Sequence, residues 1–164
     1  MTICPTIEEN WEALKSIRLA SLLDAPTAFG VSYEAVSAYS EEQWRERAAA
    51  RTQAQFLLAF RDGEAVGLIG DAVDPRGQYN LIAMWVQPDC RGLGVAGRLV
   101  DAVKARAIAR GHSRVILEVA PDNLRAANFY RKQGFAFVPE WETLASHPDI
   151  MVQKMEWRAS GPER

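Results

Sequence analysis

The sequence predicts an α+β fold with a mixed sheet: helices first, then an antiparallel meander, then alternating strands and helices. Three observations carry this reading. Apolar residues recur at helical spacing up to Leu23 and again after Gly94. Between Gln55 and Val86 the period shortens, and turn residues punctuate short runs. Leu81 to Val86 (LIAMWV) is apolar on both faces, as a central strand covered on both sides should be.

Each element follows in order. Ile7 to Leu23 is a helix with Trp11, Leu14, Ile17 and Leu22 at helical spacing. Asp24-Ala25-Pro26-Thr27 ends it, because a residue before proline leaves the helical region. A second helical stretch begins near Tyr33, and a third runs from Glu41 to about Arg51. Ser40 and Gln43 stand at the two positions of a capping box for the third. Gln55–Arg61 and Glu64–Val73 are partner strands joined by the hairpin signal Asp62-Gly63. Asp74-Pro75-Arg76-Gly77 turns into the Leu81–Val86 strand. A loop, Gln87 to Gly92, leads to a helix from Gly94 to Arg110, stopped by Gly111. Val115–Ala120 is a strand, Asn123–Gln133 a helix stopped by Gly134, and Phe135–Trp141 and Ile150–Trp157 the last strands. The Gly94–Arg110 helix is long enough to cross between parallel strands.

At 164 residues, the chain is expected to form one domain over residues 1–158, with a polar tail over 159–164 that frays. The formal net charge of −2 argues against a general nucleic-acid binder. The 2 cysteines and 2 histidines form no ligand cluster, so no metal site is expected. Sparse thiols fit a reducing cytoplasm. Met1-Thr-Ile-Cys-Pro lacks the basic and apolar regions of a signal peptide, and no run approaches the ~20 apolar residues of a membrane span.

Arg91-Gly-Leu-Gly-Val-Ala-Gly97 lies between a buried strand and a helix. Glycines expose backbone N–H groups, and the helix N-terminus adds partial positive charge, so the segment suits a phosphate. The glycines alone fit a plain helix start equally well. They also match the dinucleotide fingerprint Gly92-x-Gly94-x-x-Gly97, with Glu118 as the distant acid. The spacer Gln87–Arg91 and the preceding meander argue against that fold, whose glycines follow the first strand almost directly.

With these residues in place, the chain resembles the GNAT superfamily of acetyl-CoA-dependent N-acetyltransferases over about residues 55–157. Arg91-Gly-Leu-Gly94-Val-Ala96 satisfies that family's Arg/Gln-x-x-Gly-x-Gly/Ala signature. A second block runs from Leu117-Glu-Val119 through Asn123, Ala126 and Tyr130 to Gly134-Phe135. The resemblance implies a mostly antiparallel sheet of six to seven strands, with a splay between two central parallel strands and flanking helices. It implies that backbone groups of Arg91, Gly92, Leu93, Gly94, Val95 and Ala96 hold the CoA pyrophosphate. Trp85 and Val86 would pair with the pantetheine arm, Asn123 would hydrogen-bond it, and Tyr130 would sit near the thioester sulfur. Pairing of the last strands between subunits would give a homodimer.

Acetyl transfer needs an oxyanion donor, for which the Val86 N–H is the candidate, and a proton donor for the thiolate, for which Tyr130 is. Packing on its helix is the competing role for Tyr130. Glu118, a carboxylate in an otherwise apolar strand, is a candidate base, with a structural ion pair as the equal alternative. Phe29, Tyr33, Glu34, Trp44 and Trp85 are acceptor-pocket candidates by position, although aromatics at helical spacing are more often core. Arg125, Arg131 and Lys132 read as solvent-facing, and His147 as a surface-loop residue. The leading function is acetylation of a primary amine on a small molecule. A protein acetyltransferase and a non-catalytic acyl-CoA-binding regulator are the alternatives.

Overall fold

A computed structural model describes residues 1–160. Its centre is one seven-stranded sheet in the order β1-β2-β3-β4-β5-β7-β6. The strands are β1 (Thr2–Pro5), β2 (Ala54–Arg61), β3 (Glu64–Val73), β4 (Tyr79–Val86), β5 (Arg114–Val119), β6 (Ala136–Leu144) and β7 (His147–Arg158). The helices are α1 (Trp11–Asp24), α2 (Tyr33–Ser37), α3 (Glu41–Ala48), α4 (Val95–Ala109) and α5 (Leu124–Lys132). All neighbouring strands are antiparallel except β4 and β5. The predicted mixed, mostly antiparallel sheet with flanking helices is therefore the observed architecture.

Strand alternation divides the core. Leu57, Ala59, Ile69, Leu117 and Val119 point to one face, where α4 packs Leu99, Val100, Val103 and Ala107 at 0% exposure. Leu58, Leu68 and Trp85 point to the other, against Leu14, Ile17 and Leu22 of α1 and Trp44 of α3. Gly67 permits the close approach of α4: a Cβ there would lie 3.0 Å from Leu99 and 3.1 Å from Val95.

Local signals shape the ends as their chemistry requires. Ser40 Oγ accepts from the Gln43 N–H at 3.2 Å, and Gln43 Oε1 accepts from the Ser40 N–H at 2.8 Å, closing the expected capping box. The Asp62-Gly63 turn has φ of 52° and 79°, as a primed hairpin turn demands. Gly111, at φ 83°, ends α4.

Four expectations are corrected. Strand β1 was not anticipated: four residues with a proline show no period, and pairing with β2 at the sheet edge alone extends them. The first helix begins at Trp11, after a tight turn over Glu8–Asn10, rather than at Ile7. The third ends at Ala48, with Ala50 at φ 60°. His147 opens β7 rather than lying in a loop, since Leu144 and His147 are register partners across a two-residue turn. Pro148 is tolerated because β5 pairs only with the stretch from Gln153 onward. The predicted polar tail falls outside the described residues from 161 on; the Ala159 N–H donates to Ser113 O at 2.8 Å. Among the described residues no helix is long and apolar enough to cross a membrane.

The paired end of β4 and β5 rests on a buried charge. Asp71 is 1% exposed, accepts from the Tyr79 hydroxyl at 2.5 Å, and pairs with Arg106 of α4 at 2.8 Å. Burial, followed by the Asp71 hydrogen bond, pushes the Tyr79 hydroxyl up to about 12. Asp71→Ala leaves the Arg106 guanidinium and the Tyr79 hydroxyl without their acceptor and is expected to lower unfolding free energy by about 3–5 kcal/mol. Urea denaturation checks this, and a loss under about 1 kcal/mol is the contrary result.

Candidate active site

The site begins where the sheet fails to close. β4 and β5 run side by side but pair only at Tyr79↔Val115 and Asn80↔Ile116. Beyond these pairs the strands part, as the resemblance implied. The parting has a local cause. The β3–β4 register shifts between Leu68 and Gly70, and Ala83 on the opposing strand takes φ 60°. This bulge bends β4 away from its parallel neighbour.

Backbone direction identifies the open edge. The Gln87 N–H donates to Val66 O at 2.8 Å, so residue 87 faces β3. Alternation then turns the Trp85 backbone toward β3 and the Val86 backbone toward the gap. Trp85 was expected to offer backbone groups to a ligand; they face the paired side instead. Val86 O accepts from Arg91 Nε at 3.0 Å, and the Val86 N–H faces the same gap.

The loop after β4 leads into an unusual helix start. Gly92 and Gly94 have φ of 81° and 82°, and a Cβ at either would meet nothing within 4 Å. Gly94 caps α4 without a side-chain hydrogen bond, whereas Ser32, Ser40 and Asn123 cap α2, α3 and α5 through theirs. The Arg98 N–H is the first to bond back into the helix, to Gly94 O at 3.2 Å, so the N–H groups of Val95, Ala96 and Gly97 lack helical partners.

One cavity of about 1120 Å³ joins these features. It exceeds the ~300–1,000 Å³ of an ordinary small-molecule pocket, so two reactants fit. Val86, Gly92, Gly94, Val95 and Ala96 line it, with Trp85 and the Arg91 side chain. Asn123, Tyr130, Glu118 and Phe29 complete the expected residues found there. Leu93 does not line it and is 57% exposed. Tyr33 and Glu34 lie outside, because α2 directs Val36 inward and leaves those two positions exposed. Trp44 is 1% exposed in the core, edge-on to Tyr39. Arg125 lines the cavity, while Arg131 stacks 5.2 Å from the Phe137 ring and Lys132 stays outside. His147 contacts Ser146 Oγ at 2.9 Å.

Tyr130 is 8% exposed, packed edge-on to Phe129 and Phe135. Burial raises its hydroxyl well above the ordinary value and keeps it protonated. Asn123 Oδ1 caps α5 by accepting from the Ala126 N–H at 3.3 Å, which leaves the side-chain amide donors for other partners. Glu118 counts as exposed by surface area, yet it stands within the cavity, where surrounding atoms desolvate it. Desolvation first, and the nearby Glu142 carboxylate second, raise its pKa, against the pull of Lys154. Lys154 Nζ stands 3.8 Å from Glu142 Oε1, so both alternatives for Glu118, ion pairing and site chemistry, meet in one cluster.

Sequence reasoning missed Arg18, Glu142 and Leu144. Arg18 had a visible signal: Leu14, Ile17, Ser21 and Leu22 form the buried stripe of α1, and position 18 lies within that stripe at helical spacing. Glu142 and Leu144 carried none, since only the β6–β7 register brings them to the cavity.

Residues 15–135 match the acetyltransferase (GNAT) family. The chain belongs to this family. The GNAT chain is similar to an IAA acetyltransferase of Azospirillum brasilense, 38% identical over 88 residues, which is 53% of this chain and 58% of that one. It spans between about a quarter and three fifths of the length of three such curated relatives: 58% of that protein, 27% of a mycothiol acetyltransferase of Cellulomonas flavigena and 54% of an acetyltransferase of Pectobacterium atrosepticum. The GNAT chain shares its fold with an acetyltransferase of the GNAT family from Streptococcus pneumoniae, at TM-score 0.78 and 19% identity over 97% of this chain and 99% of that one. An aminoglycoside 6'-N-acetyltransferase complexed with coenzyme A superposes at TM-score 0.73 and 19% identity, covering 100% of both chains.

Asp24 ties this GNAT site together. Its Oδ2 accepts from Trp85 Nε1 at 2.9 Å and from Arg91 at 2.8 Å, joining the end of α1 to β4 and the glycine loop. The Trp85 hydrogen bond, then that of Arg91, hold its carboxyl below the ordinary 3.8. A depressed carboxyl stabilises the fold fully above its ordinary value and loses that contribution as pH falls through the lowered one. Asp24→Asn is therefore expected to lower Tm at pH 7, with the gap to wild type closing as pH falls below 3.8. Calorimetry across pH checks this; a gap independent of pH is the contrary result.

Proposed function

We propose that this GNAT chain transfers the acetyl group of acetyl-CoA to a primary amine of a small molecule. One observation carries the reading: the parted edge of β4, the uncapped start of α4 and the Tyr130 side chain share one cavity. The residues fit acetyl-CoA. Free N–H groups at Val95, Ala96 and Gly97, with open glycine positions before them, suit a pyrophosphate. The Val86 edge suits an extended amide-bearing arm, which would pair with it as a strand would. The thioester supplies an activated acyl carbon.

Each residue then has a task. The Val86 N–H stabilises the oxygen that becomes anionic as the amine attacks. Glu118, its basicity raised, takes one proton from the acceptor ammonium, directly or through water, and so frees the attacking amine. A carbon–nitrogen bond forms, the carbon–sulfur bond breaks, and the electron pair leaves on sulfur. Tyr130 donates its proton toward that sulfur. Because burial resists a phenolate, the Tyr130 proton is returned from the acidified nitrogen, and the net products are an amide, a thiol and one proton. Asn123 positions the arm with its free amide donors, and Arg125 stands near the phosphates.

A link across the acceptor side supports the small-molecule reading over a protein substrate. Ser146 Oγ donates to Phe29 O at 2.6 Å, linking the loop after α1 to the β6–β7 turn. Exposed Trp141 and Met151 on that hairpin, at 52% and 47%, support a homodimer through the last strands.

Tyr130→Phe is expected to lower kcat about 100-fold with little change in CoA affinity. Steady-state thiol release with calorimetric CoA titration checks this, and an unchanged kcat removes Tyr130 as the proton donor. Gly94→Asp forces a side chain into the left-handed region and sets a carboxylate at the α4 start, so CoA binding is expected to vanish. Unimpaired binding there overturns the loop assignment. Tight CoA binding without thiol release to any amine would favour a regulator.

A further inference from the structure

Arg18 is a cation placed where α1 buries its apolar stripe. Its Nη1 is buried and has no hydrogen-bond partner among the described residues. The Phe29 ring lies beneath the guanidinium, with Cζ 4.8 Å from the ring centroid. Burial draws its pKa down to about 10, and the Tyr39 hydroxyl is the one group drawing it back. It therefore stays charged at neutral pH, and among the described residues no carboxylate pairs with it. Arg106, another half-buried arginine, is treated differently: it pairs with Asp71 at 2.8 Å. Arg91, in the same cavity, pairs with Asp24. A buried charge without a partner is costly, and so is one left-over donor.

The position of Arg18 gives that cost a use. It lines the cavity with Phe29, on the sheet face covered by α1 and α3. Glu118 projects from β5 to the same face, opposite to Leu117 and Val119, which join the α4 core. There Glu118 is register partner of Lys154, and Lys154 pairs with Glu142. Two carboxylates thus share one ammonium, which leaves a surplus negative charge. The acceptor side holds one unanswered cation and one surplus carboxylate.

We propose that Arg18 is the anion-binding residue of the acceptor site, and that the acceptor is an amino acid or close analogue. Its carboxylate pairs with the Arg18 guanidinium, and its amine lies on the Glu118 side, facing the thioester. The inference rests on the acetyltransferase reading above and names its substrate class. The transfer joins the acceptor nitrogen to the acetyl carbon and expels the thiol, with one proton released per turnover. Phe29 packs against the guanidinium, 4.8 Å from Cζ to the ring centroid, and helps hold it in place for that contact.

Thiol release from acetyl-CoA tests this with matched acceptors: methionine against methioninamide, and phenylalanine against phenylalaninamide. The carboxamides have the more easily deprotonated amines, so intrinsic reactivity works against the expected order. Wild type is expected to favour the free acids at least about tenfold in kcat/KM, chiefly through KM. Arg18→Gln is expected to erase that preference by lowering kcat/KM for the acids about 10–100-fold, and Arg18→Lys to restore part of it. Calorimetric CoA titration reports whether each variant keeps its fold; if Arg18→Gln does not, the wild-type comparison decides alone. Carboxamides used as well as the acids overturn the inference and leave the acetyltransferase reading intact. An Arg18→Gln loss equal for acids and carboxamides does the same. No thiol release with any amine overturns both.

Discussion

A sheet opened in its middle must answer for the backbone groups it leaves unpaired, and the rest of this molecule is arranged around that requirement. Hydrogen bonding between β4 and β5 stops after Asn80↔Ile116, and the Val86 backbone faces the gap. Buried polar backbone groups without partners are rare because each costs as much as a lost hydrogen bond. Arg91 answers one of them by donating to Val86 O. Asp24 then holds Arg91 and Trp85 together, so the end of α1, the bulged strand and the glycine loop form one connected unit. The Val86 N–H remains turned toward the gap. Ala83, a non-glycine residue at φ 60°, stores about 1–3 kcal/mol of strain to keep the gap open.

The closed end of the same strand pair explains why the gap does not spread. Tyr79 and Asn80 are paired with β5, and Asp71 lies beneath Tyr79 with Arg106 of α4 drawn to it. The C-terminal half of α4 is thereby fixed to the closed end. Gly67 lets the N-terminal half lie close against β3, through Val95 and Leu99. A rigid helix held at both ends keeps its free N–H groups at the mouth of the gap, where its dipole is of use. Stability and site geometry depend on the same contacts.

The cavity passes through the sheet and differs in chemistry on its two sides. One side offers backbone donors, open glycine positions and Arg125. The other offers Arg18 over Phe29, with Glu118 and Glu142 of β5 and β6, and Lys154 of β7 stands behind Glu142. Anion recognition by backbone does not depend on side-chain identity beyond the need for small residues. The second side is built from side chains, drawn from α1, the loop after it and the last hairpin.

That difference also divides what could be read in advance. Helix and strand periods, the Asp62-Gly63 turn, the Ser40–Gln43 capping box and the glycine loop are short-range features, and their physics is complete within about ten residues of chain. The two spaced blocks from Arg91 to Phe135 carried the family and, with it, the parting of the sheet. Positions whose role depends on a distant partner could not be read this way. Four residues from Thr2 become a strand only because β2 offers an edge. Tyr33 and Glu34 lost their place at the site because helical spacing gives a face but not what that face meets, and Trp44 for the same reason belongs to the core. Arg18, Glu118 and Glu142 converge from α1, β5 and β6, elements far apart in the chain. Local sequence was enough for the elements and for the conformation of the glycine loop, because turns, caps and glycine conformations are set by neighbours. The acceptor side was decided by tertiary structure, because its charges act on one another only after folding brings them together.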